Sequence, residues 1–79
     1  MAINLTVVTA DKTVFTESVD MVIAPGGDGQ LGILPHHIPI LTTLKPGDIR
    51  VRQGAVWTAL PIAGGFMQVD ARGVVILAD

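Results

Sequence analysis

The chain has 79 residues, no cysteine and a formal net charge of −2, from seven acidic and five basic side chains. A chain of this length forms one domain around one core, and without cysteine it has no disulfide, thiolate ligand or thiol nucleophile to offer. Five scattered basic residues without aromatic neighbours argue against a nucleic-acid partner. No run approaches the roughly 20 apolar residues of a membrane helix, and no signal peptide is visible, so we expect a soluble chain that is not secreted by that route.

The composition is poor in charge for a small domain. Charged residues make up 15% of the chain and apolar residues 49%, whereas about 25% charge is usual in soluble domains. A small domain has proportionally more surface than a large one and should therefore carry more charge. We expect part of the outer surface to be apolar and covered by a partner protein.

Short apolar runs separated by turn residues predict an all-β fold, because no apolar stripe continues at helical spacing for three turns. Ile3, Leu5 and Val7 alternate with polar residues, as do Ile49 and Val51 with two arginines that should face solvent or a partner. The predicted strands are, in chain order, residues 3–7, a return from Val14, 19–24, 30–34, 40–44, 49–52, 56–60, 66–69 and 74–78.

Turn chemistry separates these runs. Pro25 should stop the strand at 19–24, and the prolines at 35 and 39 indicate an edge or a bend. The predicted turns and loops are Asp11-Lys12, residues 26–29, residues 45–48, a two-residue turn at Gln53-Gly54, and residues 70–73.

So many short strands in one small chain must form two sheets packed face to face, or close into a barrel. The sequence therefore predicts a single β-sandwich domain over residues 1–79, with about eight to ten short and mainly antiparallel strands. Within it, Gly64-Gly65 indicates a bulge or a close backbone approach, and Trp57 is predicted to lie in the core, with an interface as the second choice.

No residue pattern predicts catalysis, a metal site or a cofactor. His36 and His37 are adjacent, so on extended backbone their side chains point in opposite directions and cannot hold one ion; we interpret them as surface or interface residues. Ser18, the only serine, lies in no elbow-like context for a nucleophile. Asp20, Asp48 and Asp70 lie at or near turns, where capping is their ordinary role.

The glycine-rich loop at residues 26–29 resembles a phosphate-binding nest only in part. Such nests lead into a helix and usually bring a lysine, whereas here a strand follows. We interpret it as a tight exposed loop and a natural contact point for another protein.

A series of short blocks extends over nearly the whole chain, beginning with the Val-Thr-Ala-Asp turn. The later blocks are residues 29–40 (GQLGILPHHIPI), 44–47 (LKPG) with Arg50, Gly54 with Trp57, 64–66 (GGF) with Val69, and Val74 with residues 76–79 (ILAD). In content and order these blocks resemble the epsilon subunit of F-type ATP synthases.

Two positions and the length differ from the family pattern. Gln30 stands where the family usually has Glu, and His36 stands where it usually has Gly. Family members usually continue past the Leu-Ala-Asp block into two regulatory helices that in some members bind ATP. We therefore expect the regulatory helical domain to be absent, and we do not transfer inhibition or nucleotide binding to this chain.

The resemblance implies a ten-stranded β-sandwich that holds the gamma subunit against the ring of c subunits, couples ion flow to ATP synthesis and catalyses nothing. It implies a peripheral position on the cytoplasmic side of a bacterial inner membrane, or at an equivalent organelle membrane. The implied c-ring contact is Asp28, Gly29, Gln30 and Leu31. The implied gamma contact is Pro35, His37, Ile38, Thr42 and Thr43.

Two other classes of protein remain open. A stand-alone β-sandwich module that binds a peptide or carbohydrate would normally line a groove with aromatic residues, and this chain has only Trp57, Phe15 and Phe66. A small enzyme would need a convergent catalytic set. Isolated from its partners, the domain is expected to self-associate through its uncovered surface.

Overall fold

The computed structural model describes residues 3–27, 29–34 and 39–79. These residues form nine strands, within the predicted range of eight to ten, so the all-β prediction is confirmed. The strands are β1 (Ile3–Val8), β2 (Thr13–Val19), β3 (Met21–Gly26), β4 (Gly29–Ile33), β5 (Ile40–Leu44), β6 (Gly47–Gln53), β7 (Val56–Ile62), β8 (Gly65–Asp70) and β9 (Gly73–Ala78).

The strands form one continuous curled sheet. Its order is β2-β1-β9-β8-β5-β3-β6-β7, with β4 added to β3. Every pairing is antiparallel except that of β1 with β9. Strands β3 and β5 share a single residue pair, Gly26 with Leu44. This narrow junction divides the sheet into two halves, β2-β1-β9-β8-β5 and β4-β3-β6-β7.

Both halves contribute to one hydrophobic core. Alternate residues on each strand point inward, and no polar or charged residue among those described is buried. Each large aliphatic side chain buried here contributes about 1.5–3 kcal/mol to the free energy of unfolding. The buried residues are Ile3, Leu5, Val7, Val19, Val22, Ala24, Ile33, Leu44, Ile49, Val51, Met67, Val69, Val74, Ile76 and Ala78.

The prediction that Pro25 ends a strand at 19–24 is wrong. Val19 closes β2, the chain bends at Asp20, and β3 continues through Pro25 to Gly26. The Pro25 carbonyl oxygen accepts a hydrogen bond from the Lys45 amide (2.7 Å), and its ring nitrogen lies on the same side of the strand. There β3 changes its neighbour from β6 to β5, so the ladder needs no amide donor from this residue.

The two-residue turn after β6 is shifted by one position from the prediction. Gln53 still pairs with Val56, and the connecting residues are Gly54 and Ala55. Gly54 takes the first loop position because the backbone there has a positive φ of 63°. Its amide donates to a carboxylate oxygen of Asp20 at 2.6 Å, so that aspartate has the predicted turn role.

The predicted close approach at Gly64-Gly65 is confirmed. Both residues have φ in the region that favours glycine, at 125° and 141°. A Cβ on Gly65 would overlap the carbonyl oxygen of Leu77 on the neighbouring strand β9. Within the described ranges, no helix is long and apolar enough to cross a membrane.

Candidate docking surface

The hairpin of β3 and β4 carries the described residues of the predicted c-ring contact. Gly26 pairs with Gly29 at the tip, so the connection between the strands is only two residues long. Gly29 and Gln30 are exposed, whereas Leu31 packs partly against the core. Asp28, the first residue of that prediction, lies outside the described residues.

Strand β5 carries the described residues of the predicted gamma contact. Thr43 is exposed and Thr42 is half-buried, because successive residues on a strand point to opposite faces. The other residues of that prediction, Pro35, His37 and Ile38, lie outside the described residues.

The hairpin and β5 meet although they were predicted as separate contacts. The amide of Gly27 donates to the carbonyl oxygen of Thr43 at 3.1 Å. Thr42 also lines a depression of about 130 Å³ between the two elements. The other residues that line it are Gly26, Gly27, Gly29, Gln30 and Leu31. The described residues of the two predicted contacts therefore form one continuous corner of the molecule.

An apolar outer face adjoins this corner. We use the name apolar face for Leu41, Phe66, Val75 and Leu77, on β5, β8 and β9. Thr43 pairs with Phe66, which pairs with Leu77, so these three lie in a row on one side of the sheet. Exposure is highest for Leu41, at 75%. The composition predicted an apolar surface of this kind without locating it.

The sequence could not locate the apolar face because β9, which carries two of its four residues, is apolar on both sides. Residues 74–78 form an unbroken apolar run in which Val74, Ile76 and Ala78 face the core and the alternate residues face outward. The absence of apolar–polar alternation in this run could have indicated the apolar face, because it is typical of a strand that is covered on both sides.

Trp57 is not in the core, where it was predicted to lie. Its side chain is 50% exposed on β7, the last strand of the sheet. Trp57 pairs with Arg52, an outward-pointing residue of β6, so the indole shares the outer side of the sheet with the arginines. A shift of one residue in strand register is enough to move a side chain from the core to the surface.

The outward position predicted for the two arginines of β6 is confirmed. Arg50 is exposed, and its Nη2 donates to Oε1 of Gln30 at 3.3 Å. Arg52 is partly exposed and donates through Nη1 to the carbonyl oxygen of Gly54, also at 3.3 Å. The first of these hydrogen bonds reaches from β6 across β3 to the hairpin strand β4.

Several polar side chains have structural partners. Ser18 donates to Oδ1 of Asn4 at 3.3 Å. Asp70 accepts the backbone amide of Arg72 at 2.8 Å, which is the turn role predicted for this aspartate, and that hydrogen bond is the largest cause of the lowered pKa of its carboxyl group. Among the residues that the structure describes, no group of three or more His, Asp or Glu side chains could hold a metal ion.

Fold and surface together define a small β-sandwich domain whose exposed apolar face suits it to protein contacts. Residues 2–79 match the family model described as "ATP synthase, Delta/Epsilon chain, beta-sandwich domain". The chain belongs to this family.

Curated relatives named ATP synthase epsilon chain are similar over most of this chain. That of Desulforamulus reducens is 51% identical over 96% of the chain and 58% of its own length. That of Herpetosiphon aurantiacus is 48% identical over the whole chain, again 58% of its own length. The chain thus spans somewhat more than half the length of these relatives.

Solved structures of ATP synthases contain the same fold. A chain of the Euglena gracilis mitochondrial ATP synthase, in an assembly described as OSCP/F1/c-ring, superposes with a TM-score of 0.90 at 29% identity. That match covers 98% of this chain and 50% of the Euglena chain. A chain of the Tetrahymena thermophila central stalk and c-ring has a TM-score of 0.80 at 21% identity, covering 95% of this chain and 61% of its own, which shows the fold alone.

Proposed function

We propose that this chain is the β-sandwich part of an ATP synthase epsilon subunit, a non-catalytic component of the rotor. It links the gamma subunit to the c-ring in the central stalk and helps to couple ion flow to ATP synthesis. Family membership supports this function, as does the likeness to a Euglena chain from an assembly that contains a c-ring. The domain is peripheral, on the cytoplasmic side of a bacterial inner membrane or at an equivalent organelle membrane.

The observation that carries the proposal is the continuity between the hairpin corner and the apolar face. Thr43 joins the two, because its carbonyl oxygen accepts a hydrogen bond from the Gly27 amide and the residue pairs with Phe66 of the apolar face. Protein interfaces commonly have an apolar centre depleted of charge, and the apolar face has this composition.

The gamma subunit is proposed to cover the apolar face together with Thr43. Leu41 and Leu77 project from this side and would lose their water contact on binding. Gamma is proposed to reach Thr42 around the strand, because Thr42 points to the opposite side of β5 and lines the depression beside the hairpin. The predicted gamma-contact residues Pro35, His37 and Ile38 precede β5 in the chain and remain part of the proposal.

The c-ring is proposed to contact the tip of the hairpin at Asp28, Gly29, Gln30 and Leu31. The end of the hairpin near its tip is held to β5 through β3, by the Gly27 amide to Thr43 and by the Lys45 amide to Pro25. A load applied at the tip therefore passes through backbone hydrogen bonds to the gamma-facing strand. This rigidity suits a part that transmits torque.

Titration of the purified chain with the purified gamma subunit, followed by size-exclusion chromatography, tests the proposed function. A one-to-one complex is expected. Thr43→Arg should weaken it, because Thr43 is exposed beside Phe66 and the complex would bury the new charge against an apolar surface. Thr58→Arg is the matched control, since Thr58 is exposed on the distant strand β7.

The titration has two informative outcomes. Weakening by Thr43→Arg but not by Thr58→Arg would support gamma binding at β5. If the folded chain formed no complex with gamma or with gamma–ring particles, the rotor function would be wrong and a stand-alone protein-binding module would replace it.

A further inference from the structure

Arg50 lies on a different strand from the hairpin but is bonded to it. Its partner across the sheet is Ile23 of β3, and Ile23 pairs on its other side with Gly32 of β4. Gln30 lies two residues before Gly32 on β4 and therefore on the same side of the sheet as Arg50, so the arginine can lie across β3 and reach it. Its Nη2 then donates to Oε1 of Gln30 at 3.3 Å.

This hydrogen bond fixes the direction of the Gln30 side chain. A glutamine on an exposed strand is otherwise free to adopt several rotamers, and ordering it on binding costs free energy. Because the guanidinium takes the amide oxygen, the Nε2 group of Gln30 is left to donate outward. Arg50 therefore positions the one long polar side chain among the described residues of the proposed c-ring contact.

Arg50 also brings charge to a contact whose described residues have none. Gly29, Gln30 and Leu31 are uncharged, and Arg50 is exposed beside them. The hydrogen bond to Gln30 uses one of the five N–H donors of the guanidinium. The remaining donors fit a carboxylate, which a planar guanidinium can bind through two parallel hydrogen bonds.

Arg52 shows that this arrangement is specific to one of the two arginines. It lies on the same strand and the same face, two residues further along. Its Nη1 donates to the carbonyl oxygen of Gly54, at the β6–β7 turn. Arg52 is thus directed toward the end of β6 that is remote from the hairpin tip.

We propose that Arg50 is a further residue of the c-ring contact, which orients Gln30 and binds a carboxylate of the facing ring loop. This inference rests on the proposed function and deepens it by giving the partner group a chemical class. The loop that fits is acidic at the point opposite Arg50, and its carboxylate accepts hydrogen bonds from the guanidinium.

Binding of the chain to immobilised gamma–ring particles tests the inference, with gamma alone as the reference surface. Arg50→Gln should weaken binding to the particles by about tenfold or more, the usual effect of losing a charge-assisted hydrogen bond. Arg50→Lys should recover part of the affinity, because it restores the charge without the planar fork. Arg52→Gln, the matched control, should change the affinity by less than about threefold.

Two further readouts separate a charge contact from a merely structural role. Raising NaCl from about 0.05 M to about 0.5 M should weaken the parent chain more than Arg50→Gln, since salt screens the guanidinium–carboxylate pair. Gln30→Glu should weaken binding as well, because the new carboxylate would pair with Arg50 and occupy it. This second variant decides the question even if Arg50→Gln does not fold.

The outcomes that overturn the inference differ from those that overturn the proposed function. If the parent chain binds the particles and Arg50→Gln binds equally well, Arg50 is not part of the contact. Equal losses from Arg50→Gln and Arg52→Gln, or an equal loss toward gamma alone, lead to the same conclusion. Failure of the parent chain to bind the particles at all would overturn the proposed rotor function and this inference with it.

Discussion

The amide of Gly27 donates a hydrogen bond to the carbonyl oxygen of Thr43, joining the tip of one hairpin to a strand of the other half of the sheet at 3.1 Å. Gly26 and Leu44 form the single residue pair between β3 and β5 beside it. The corner proposed to bridge two partners is therefore also the place where the sheet changes from one half to the other, so assembly and folding depend on the same few residues.

Replacing Gly27 tests this junction. A Cβ at this position would lie 2.9 Å from Oγ1 of Thr43, so Gly27→Ala should cost about 1 kcal/mol in the free energy of unfolding and weaken gamma binding. Thr43→Ala removes the crowded oxygen and should rescue much of that loss in the double variant. Urea unfolding of both single variants and the double variant gives the coupling, expected at about 0.5 kcal/mol or more. Additive effects would show that the Cβ does not press on Thr43.

Gly65 should tolerate substitution far less well. Gly65→Ala places a Cβ on the Leu77 carbonyl oxygen at a backbone φ of 141°, so both overlap and strain oppose it. Gly29→Ala is the matched control, because Gly29 has a similar φ of 135° with open space around it. We expect Gly65→Ala to be the more destabilising by about 1–3 kcal/mol, measured by chemical denaturation. Equal losses would mean that strain alone explains both.

A charge placed on the apolar face should weaken both gamma binding and self-association of the isolated chain. Leu41→Asp should weaken the gamma complex by about tenfold or more, since the transfer of one large aliphatic side chain is worth about 1.5–3 kcal/mol. It should also reduce self-association of the isolated chain, followed by analytical ultracentrifugation. Val56→Asp is the control, because Val56 is 62% exposed on β7, away from this face. If Val56→Asp weakened gamma binding as much as Leu41→Asp, gamma would not be on the β5–β8–β9 side.

The sequence predicted which side chains point inward for the strands that have one solvent-exposed face. In β1, Ile3, Leu5 and Val7 are buried and alternate with more exposed residues, and in β6 Ile49 and Val51 do the same. In such a strand apolar and polar residues alternate because successive side chains point to opposite sides, one toward the core and one toward water. The pattern can therefore be recognised within the strand's own sequence. The β5 bounds also agree, because turn-forming residues flank that strand.

Two of the errors concern pairing and packing that the local sequence does not specify. Pro25 is tolerated within β3 because the neighbouring strand changes there, and Trp57 is exposed because it pairs with Arg52 on the outer side of the sheet. Neither fact is written in the local sequence. The candidate contacts came from family resemblance, and their convergence at Gly27 and Thr43 depends on the same non-local pairing.

The turn after β8 should make stability depend on pH in acid. The pKa of Asp70 is lowered, first by the backbone amide of Arg72 and then by the Arg72 side chain, whose Nη2 lies 3.1 Å from the carboxylate. A carboxyl whose pKa is lower in the folded than in the unfolded state stabilises the fold above the unfolded pKa, and this contribution is lost as the pH falls through the folded pKa. The loss should occur below about pH 4.

Asp70→Asn and Arg72→Gln separate the two causes. Asp70→Asn should flatten the fall in the thermal unfolding midpoint between about pH 5 and about pH 2.5, because the titrating group is gone. Arg72→Gln keeps the backbone amide, so most of the acid sensitivity should remain. If Arg72→Gln flattened the profile as fully as Asp70→Asn, the ion pair rather than the amide hydrogen bond would hold this turn, and salt should then reproduce the effect.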